Sequence, residues 1–314
     1  METKSLMKHL LALFAALSII LMVGCKDSTI EPESTEPNTD KEAMQKIADE
    51  DSSVSSFEPN YNEEDLMDFL GKTETVIYPF RVGHRVRLVS RNFNVNIVGD
   101  TAWATYTKTF EGTLLIAASY DPNATEPDTV VKKPFNSVVT RNLIFIKVAN
   151  TDRPFRNWKL AAISLPEGGT LSPNIDITKL TIFLPGGDTL VITSPNNYYL
   201  SRGFGWWKHL PIISKNEDVT LELELFSAYA DTDFVTLTYG ADKLGLHRAK
   251  RKFELISSVP SGTGYVKVYQ QTYRTHQWWG FYHAIVNAFP RQVIFDDTAA
   301  VENEMWGVPY FVKF

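Results

Sequence analysis

The sequence predicts an α+β unit, two N-terminal helices on a curved antiparallel sheet, followed by an all-β sandwich. Three observations predict it. Apolar residues recur at helical spacing in two stretches before Gly71. The apolar period then falls from about four to two, and long runs alternate apolar with polar residues as far as Ile163. From Ile175 onward the alternating runs are short and punctuated by glycine and proline, the rhythm of packed sheets joined by turns.

The elements follow in order. Asp40 is placed to cap a helix through about Asp51, with Ala43, Met44, Ile47 and Ala48 on one face. Asn62 caps a second helix. Glu63, Glu64 and Asp65 fill its first turn, where negative charge suits the helix dipole. Leu66, Met67, Phe69 and Leu70 supply its apolar side, and Gly71 ends it. Phe93, Val95 and Ile97 then alternate with Asn92, Asn94 and Asn96, while Val86 and Leu88 lie on the opposite parity. That switch predicts a β-bulge near residues 90–92. Gly99-Asp100 turns the chain into a long strand from Thr101 to Tyr120. A loop with Pro122 and Pro127 leads to a strand over 137–148, and a Thr151-Asp152-Arg153-Pro154 turn to one through Trp158, Leu160 and Ile163.

Glu167-Gly168-Gly169-Thr170 breaks the pattern and reads as a linker. Beyond it, the apolar runs around Ile182 and Leu190 flank Pro185-Gly186-Gly187-Asp188, a hairpin. Val219, Leu221, Leu223 and Leu225 alternate with Thr220, Glu222 and Glu224, a strand with one wet face. Further short strands over 234–314 complete a sandwich. The expected organisation is therefore a leader over 1–24, an acidic tether over 25–40, and folded units over 41–168 and 171–314.

Composition narrows the function classes. The chain has 314 residues, a formal net charge of −6, 44% hydrophobic residues and 12% aromatics, enough apolar material for real cores. The acidic balance argues against nucleic acid, whose phosphates call for basic clusters, and against electrostatic docking on anionic lipid. Residues 26–40 carry Pro32, Pro37, Asp27, Glu31, Glu33, Glu36 and Asp40 among Ser and Thr, a composition that cannot bury surface.

The N-terminus carries the most specific motif. Lys4 and Lys8 precede an apolar segment from Leu10 to Gly24, shorter than the roughly 20 residues of a spanning helix. It closes on Leu21-Met22-Val23-Gly24-Cys25, and Cys25 is the only cysteine in the chain. The motif resembles the lipobox of bacterial lipoproteins, with Met22 where that family prefers leucine. The resemblance implies cleavage before Cys25, acylation of its thiol and new amino group, and membrane attachment by lipid. Lys26 in place of Asp after the cysteine implies the outer membrane. A lipidated Cys25 leaves no thiol for a disulfide, a nucleophile or a cysteine-based metal site.

Two further resemblances concern the folded units. Val98-Gly99-Asp100-Thr101-Ala102 and Asn157-Trp158-Lys159-Leu160 resemble the "GD-A" and "W-I/L" phrases of NTF2-like (cystatin-like, SnoaL-like) domains. That likeness implies a cone-shaped sheet wrapped around helices with a pocket at its open end. The strand spacing after residue 171 resembles that of Ig-like domains of bacterial surface proteins, in architecture only.

Candidate site residues follow. If the cone is hollow, its pocket candidates are Tyr78, Arg81, His84, Arg85, Trp103 and Tyr106, the residue types that such domains use as acids, bases and ligand contacts. None comes in a catalytic spacing, so no catalytic residue is assigned. Arg81, Arg85, Arg87 and Arg91 form a basic run that reads either as an anion contact or as a solvated face. His276 and His283 stand seven apart and His209 and His247 are isolated, so no metal site and no cofactor are expected. Glu222 and Glu224 read as wet strand positions. The pairs Trp206-Trp207 and Trp278-Trp279 are candidates for a partner surface. On a strand, one ring of each pair would be buried and the other exposed. The expected role is non-catalytic binding or assembly in the cell envelope, with an envelope protein or a glycan as partner and no nucleic acid. The alternatives are an enzyme or small-ligand binder using the cone, and a carbohydrate-binding surface protein.

Overall fold

The computed structural model describes residues 37–56, 76–203, 207–241 and 249–314. Residues 37–314 make one compact unit. The expected leader, Cys25, the helix over 62–71, Trp206 and His247 lie outside the described residues.

The first helix, α1 (Asp40–Glu50), forms where expected but is capped one residue earlier. The Thr39 side chain accepts from the Glu42 backbone and Glu42 reaches back to the cap, a capping box that leaves fewer orphan donors than Asp40 alone could. It buries Ala43, Met44 and Ala48. The other described helices are single turns or little more: α2 (Ser52–Ser56), α3 (Pro154–Asn157) and α4 (Arg291–Phe295).

The rest is strand, and the fold is mostly β. Three long strands open it: β1 (Tyr78–Val98), β2 (Thr101–Ser119) and β3 (Thr129–Lys147). The β1–β2 turn falls at Gly99-Asp100, and Val98 pairs with Thr101. A register shift falls between Leu88 and Ser90, just before the expected bulge. It lets Val86 and Leu88 share a face with Phe93 and Val95 despite their opposite parity. β3 begins eight residues earlier than its apolar alternation suggests, running through Lys132, Lys133 and Pro134.

After β4 (Trp158–Ser164) and β5 (Glu167–Gly169), a second sheet forms from β6 (Ile175–Phe183), β7 (Thr189–Ile192), β11 (Asp218–Ser227), β14 (Glu254–Ser261) and β15 (Gly264–Arg274). The expected hairpin is β6–β7, with Phe183 opposite Thr189. Val219, Leu221, Leu223 and Leu225 of β11 are all buried, as their alternation requires. Against this sheet packs a layer of β12 (Phe234–Ala241), β16 (Gly280–Phe289) and β17 (Glu304–Lys313). Val235, Leu237, Ala284, Val286, Val308 and Tyr310 join the same core as Leu180, Ile182, Leu221 and Tyr273.

That layer overturns the expected architecture. It does not close on itself as one half of an Ig-like sandwich. It continues through β5 into the long strands, in the order β13–β12–β16–β17–β5–β3–β4–β8–β9, where β8 is Tyr199–Arg202, β9 Trp207–Lys208 and β13 Ala249–Lys252. β1 and β2 extend the sheet beyond β3, and β10 (Ile212–Ser214) lies parallel to the end of β17, for twelve strands in all. No pair of N-terminal helices on a cone and no separate sandwich is present among the described residues.

The expected linker is the seam. Gly168 pairs with Val139 on one side and Met305 on the other, and Gly169 with Val138 and Glu304. A Cβ on Gly168 would stand 2.3 Å from the Val138 carbonyl, and one on Gly169 2.2 Å from that of Asn303. Two glycines occur here because two backbones press on them, so their meaning is close approach rather than flexibility.

Candidate functional site

The six expected pocket residues do not converge. Tyr106 stands opposite Phe93 and His84 opposite Leu114. Nine positions of extended strand, about 30 Å, separate Phe93 from His84. Tyr106 is buried against α1, donates to Asp49, and has its hydroxyl pKa raised by burial and by that carboxylate. His84 is buried edge-on to Phe135, with ring centroids 6.3 Å apart. Arg85 lines an open groove of about 760 Å³ beside Val86, Gly112 and Phe135. Tyr78 and Arg81 sit at the start of β1, and Trp103 near the start of β2 is exposed on the opposite face from Tyr106. The cone pocket gave these residues a common destination, and without the cone they are spread along two strands. Within the arginine run, Arg87 pairs with Glu111 at 2.6 Å and Arg91 with Asp49 at 3.4 Å. Glu224 pairs with Lys179 across the β6–β11 ladder, on the wet face as expected.

The aromatic pairs divide differently from the strand rule. Trp207 is buried, with the Arg202 guanidinium 5.2 Å from its ring. Trp278 and Trp279 are both exposed, at 69% and 59%. They precede β16 in a bend, where the two-residue alternation of a strand does not act. Trp279 lies 5.8 Å from Phe314, and the exposed Phe281 and Ile212 flank Phe311 on the neighbouring strands.

The seam builds a site that the sequence did not announce. Where β5, β6 and β17 meet, a cleft of about 450 Å³ is lined by Thr140, Glu167, Asp176, Asn196 and Glu304 among others. β5 delivers Glu167, whose carboxylate accepts from the Asn196 amide at 3.1 Å. β17 delivers Glu304. One of its oxygens accepts from the Ile177 backbone at 2.5 Å and the other from the Trp306 indole at 2.8 Å. Glu304 therefore ties the small sheet to the large one. Burial pushes its carboxyl up to about 8 against the pull of both donors, and the Asp176 and Glu167 carboxylates add to the rise. Burial also raises Glu167, with Asp176 second. Chemically the cleft offers hydrogen-bond acceptors and a carboxyl that holds a proton near neutrality. Among the described residues no group of three or more His, Cys, Asp or Glu is arranged to hold a metal ion.

A pH dependence follows. Glu304 is protonated more readily folded than unfolded, so its contribution is full below its unfolded value of about 4.3 and is lost as pH rises towards 8. Wild type is expected to lose roughly 3–4 kcal/mol of unfolding free energy between pH 5 and pH 8 from this group. In Glu304→Gln that slope flattens, while the amide, which accepts with one atom only, costs about 1–3 kcal/mol at pH 5. Urea titrations of both proteins at the two pH values check this, and an unchanged slope in the variant contradicts it.

Compared with known proteins, the chain matches no protein-family model and no curated protein sequence.

Proposed function

We propose that the chain is a lipid-anchored protein of the bacterial cell envelope, held at the outer membrane, whose folded unit binds rather than catalyses. The observation that carries this reading is Leu21-Met22-Val23-Gly24-Cys25, with its basic start and the chain's single cysteine at the cleavage point. Among the described residues no helix is long and apolar enough to cross a membrane. The geometry supports binding. The half-buried cleft carboxylate, Glu304, has both oxygens engaged by the protein's own donors, a structural tie rather than a group free to move protons to a substrate. Assembly with an envelope protein is the form of this role that the exposed rings of Trp278 and Trp279 favour.

Metabolic labelling with a fatty acid, followed by fractionation, tests the anchor. Wild type is expected to take up label and to sediment with membranes. Cys25→Ser is expected to take up none and to leave the membrane fraction. A wild type without label, together with a serine variant that stays membrane-bound, overturns the reading.

A further inference from the structure

The exposed rings of Trp278 and Trp279 belong to a wider patch. Phe281, Phe311 and Ile212 form one row across β16, β17 and β10. Their neighbours Tyr310 and Ile213 line a core cavity with Leu180 and Leu221 of the small sheet, so the row lies on the opposite side of the large one. Phe281 packs on Phe311 with ring centroids 4.9 Å apart, and Trp279 carries the patch on to Phe314. Ile212, Phe281, Phe314 and both tryptophans are exposed, and together they open roughly 600 Å² of apolar side chain to solvent. That equals the largest patch of an ordinary monomer and approaches the roughly 800 Å² that each partner brings to a stable interface. Charges of both signs border it. Lys215 lies 5.8 Å over the Phe314 ring, and its backbone N–H donates to the carbonyl of the exposed Lys313. The exposed Glu217 accepts from the Thr275 N–H, three residues before Trp278, and the exposed Asp218 stands opposite Arg274 in the β11–β15 ladder.

We propose that this patch is the surface through which the chain pairs with a second copy of itself about a two-fold axis. The inference rests on the assembly role proposed above and names the partner. A two-fold contact sets the same patch on both sides, so the rings of one copy meet apolar surface on the other and the pair reaches the area of a standard interface. Aromatic residues at the centre with charge confined to the border is the composition of a protein contact, and tryptophan is its commonest anchor. The border decides between occupants. A lipid surface selects cations alone, and Glu217 and Asp218 would face its phosphates. A foreign partner of one charge sign selects a border of the other sign. A border with both signs matches a surface that also has both, which a second copy supplies. Copies anchored in one membrane are held at raised effective concentration, which helps an interface at the lower end of the stable range.

The test is sedimentation equilibrium of the full chain in density-matched detergent. Wild type is expected to pass from monomer to dimer as its concentration rises. Trp279→Ala is expected to raise the dissociation constant about tenfold or more, and Phe314→Ala to raise it less. Trp103→Ala, at an exposed ring near the start of β2, is expected to leave it unchanged. All three positions are exposed, so unfolding in urea is expected to be that of wild type. A wild type that stays monomeric at about 0.1 mM overturns the assignment, as does a dimer that Trp279→Ala leaves intact. Assemblies that grow beyond the dimer overturn it too, because a two-fold contact closes on itself. Vesicles of phosphatidylethanolamine and phosphatidylglycerol with brominated chains supply the other arm. Quenching of wild-type tryptophan fluorescence that disappears in Trp279→Ala makes the patch a lipid contact and overturns the pairing. A chain that takes up fatty acid yet stays monomeric fails here and leaves the anchor standing.

Discussion

Lys267→Met is expected to cost about 3–5 kcal/mol, the scale for removing one partner of a fully buried ion pair. Lys267 on β15 reaches Asp233 at the entrance to β12 with 2.7 Å between Nζ and Oδ2, and both side chains are completely buried. Lys267 also donates to the Asp231 carbonyl. Asp233 receives Ser227 Oγ at 2.9 Å and the Tyr269 hydroxyl at 3.1 Å, while its own N–H donates to that hydroxyl at 2.9 Å. The network thus clasps β11 and β15 of the small sheet to β12 of the large one. Without the ammonium, a buried carboxylate keeps only neutral donors, which do not replace a charge at that depth. Asp233→Asn added to Lys267→Met removes the stranded charge while keeping a group that Ser227 and Tyr269 can meet. The double variant is expected to recover more than half of the loss in a denaturant titration. A loss below about 1 kcal/mol in the single variant contradicts this account of the clasp.

Much of the local structure was legible because it is local. The Gly99-Asp100 turn, the β6–β7 hairpin and the alternation of β11 each depend on residues a few positions apart. The first half of β3 was hidden by Lys132, Lys133 and Pro134, which look like a loop. Lys133 is in fact buried, its ammonium donating to the Val293 carbonyl at 2.7 Å and to that of Asp296. That disposition depends on α4, far along the chain. Trp278 and Trp279 escape strand alternation because they lie in the bend that precedes β16. Glu304 gave no signal either. A glutamate ahead of Met305 and Trp306 reads as a fully wet position, and here it is half-buried, with the Ile177 N–H of β6 donating to it.

The largest misreading was Gly168-Gly169. Adjacent glycines ordinarily punctuate a chain, and their local sequence says nothing else. Here they are pinned between Val139 and Met305, residues that meet only through the fold. The central claim is that this seam makes the large sheet continuous, so that the long strands and the C-terminal layers stand or fall together. Gly169→Ala tests it most directly. Its φ of +139° lies where side chains are strained, and the new Cβ would meet the Asn303 carbonyl at 2.2 Å. The two effects together are expected to cost about 3 kcal/mol or more. The measurement is differential scanning calorimetry of wild type and Gly169→Ala. The account predicts one cooperative transition in wild type and one transition in the variant, shifted several degrees lower as a whole. Two resolved transitions in wild type, or a variant in which only one part of the heat absorption moves, would contradict it.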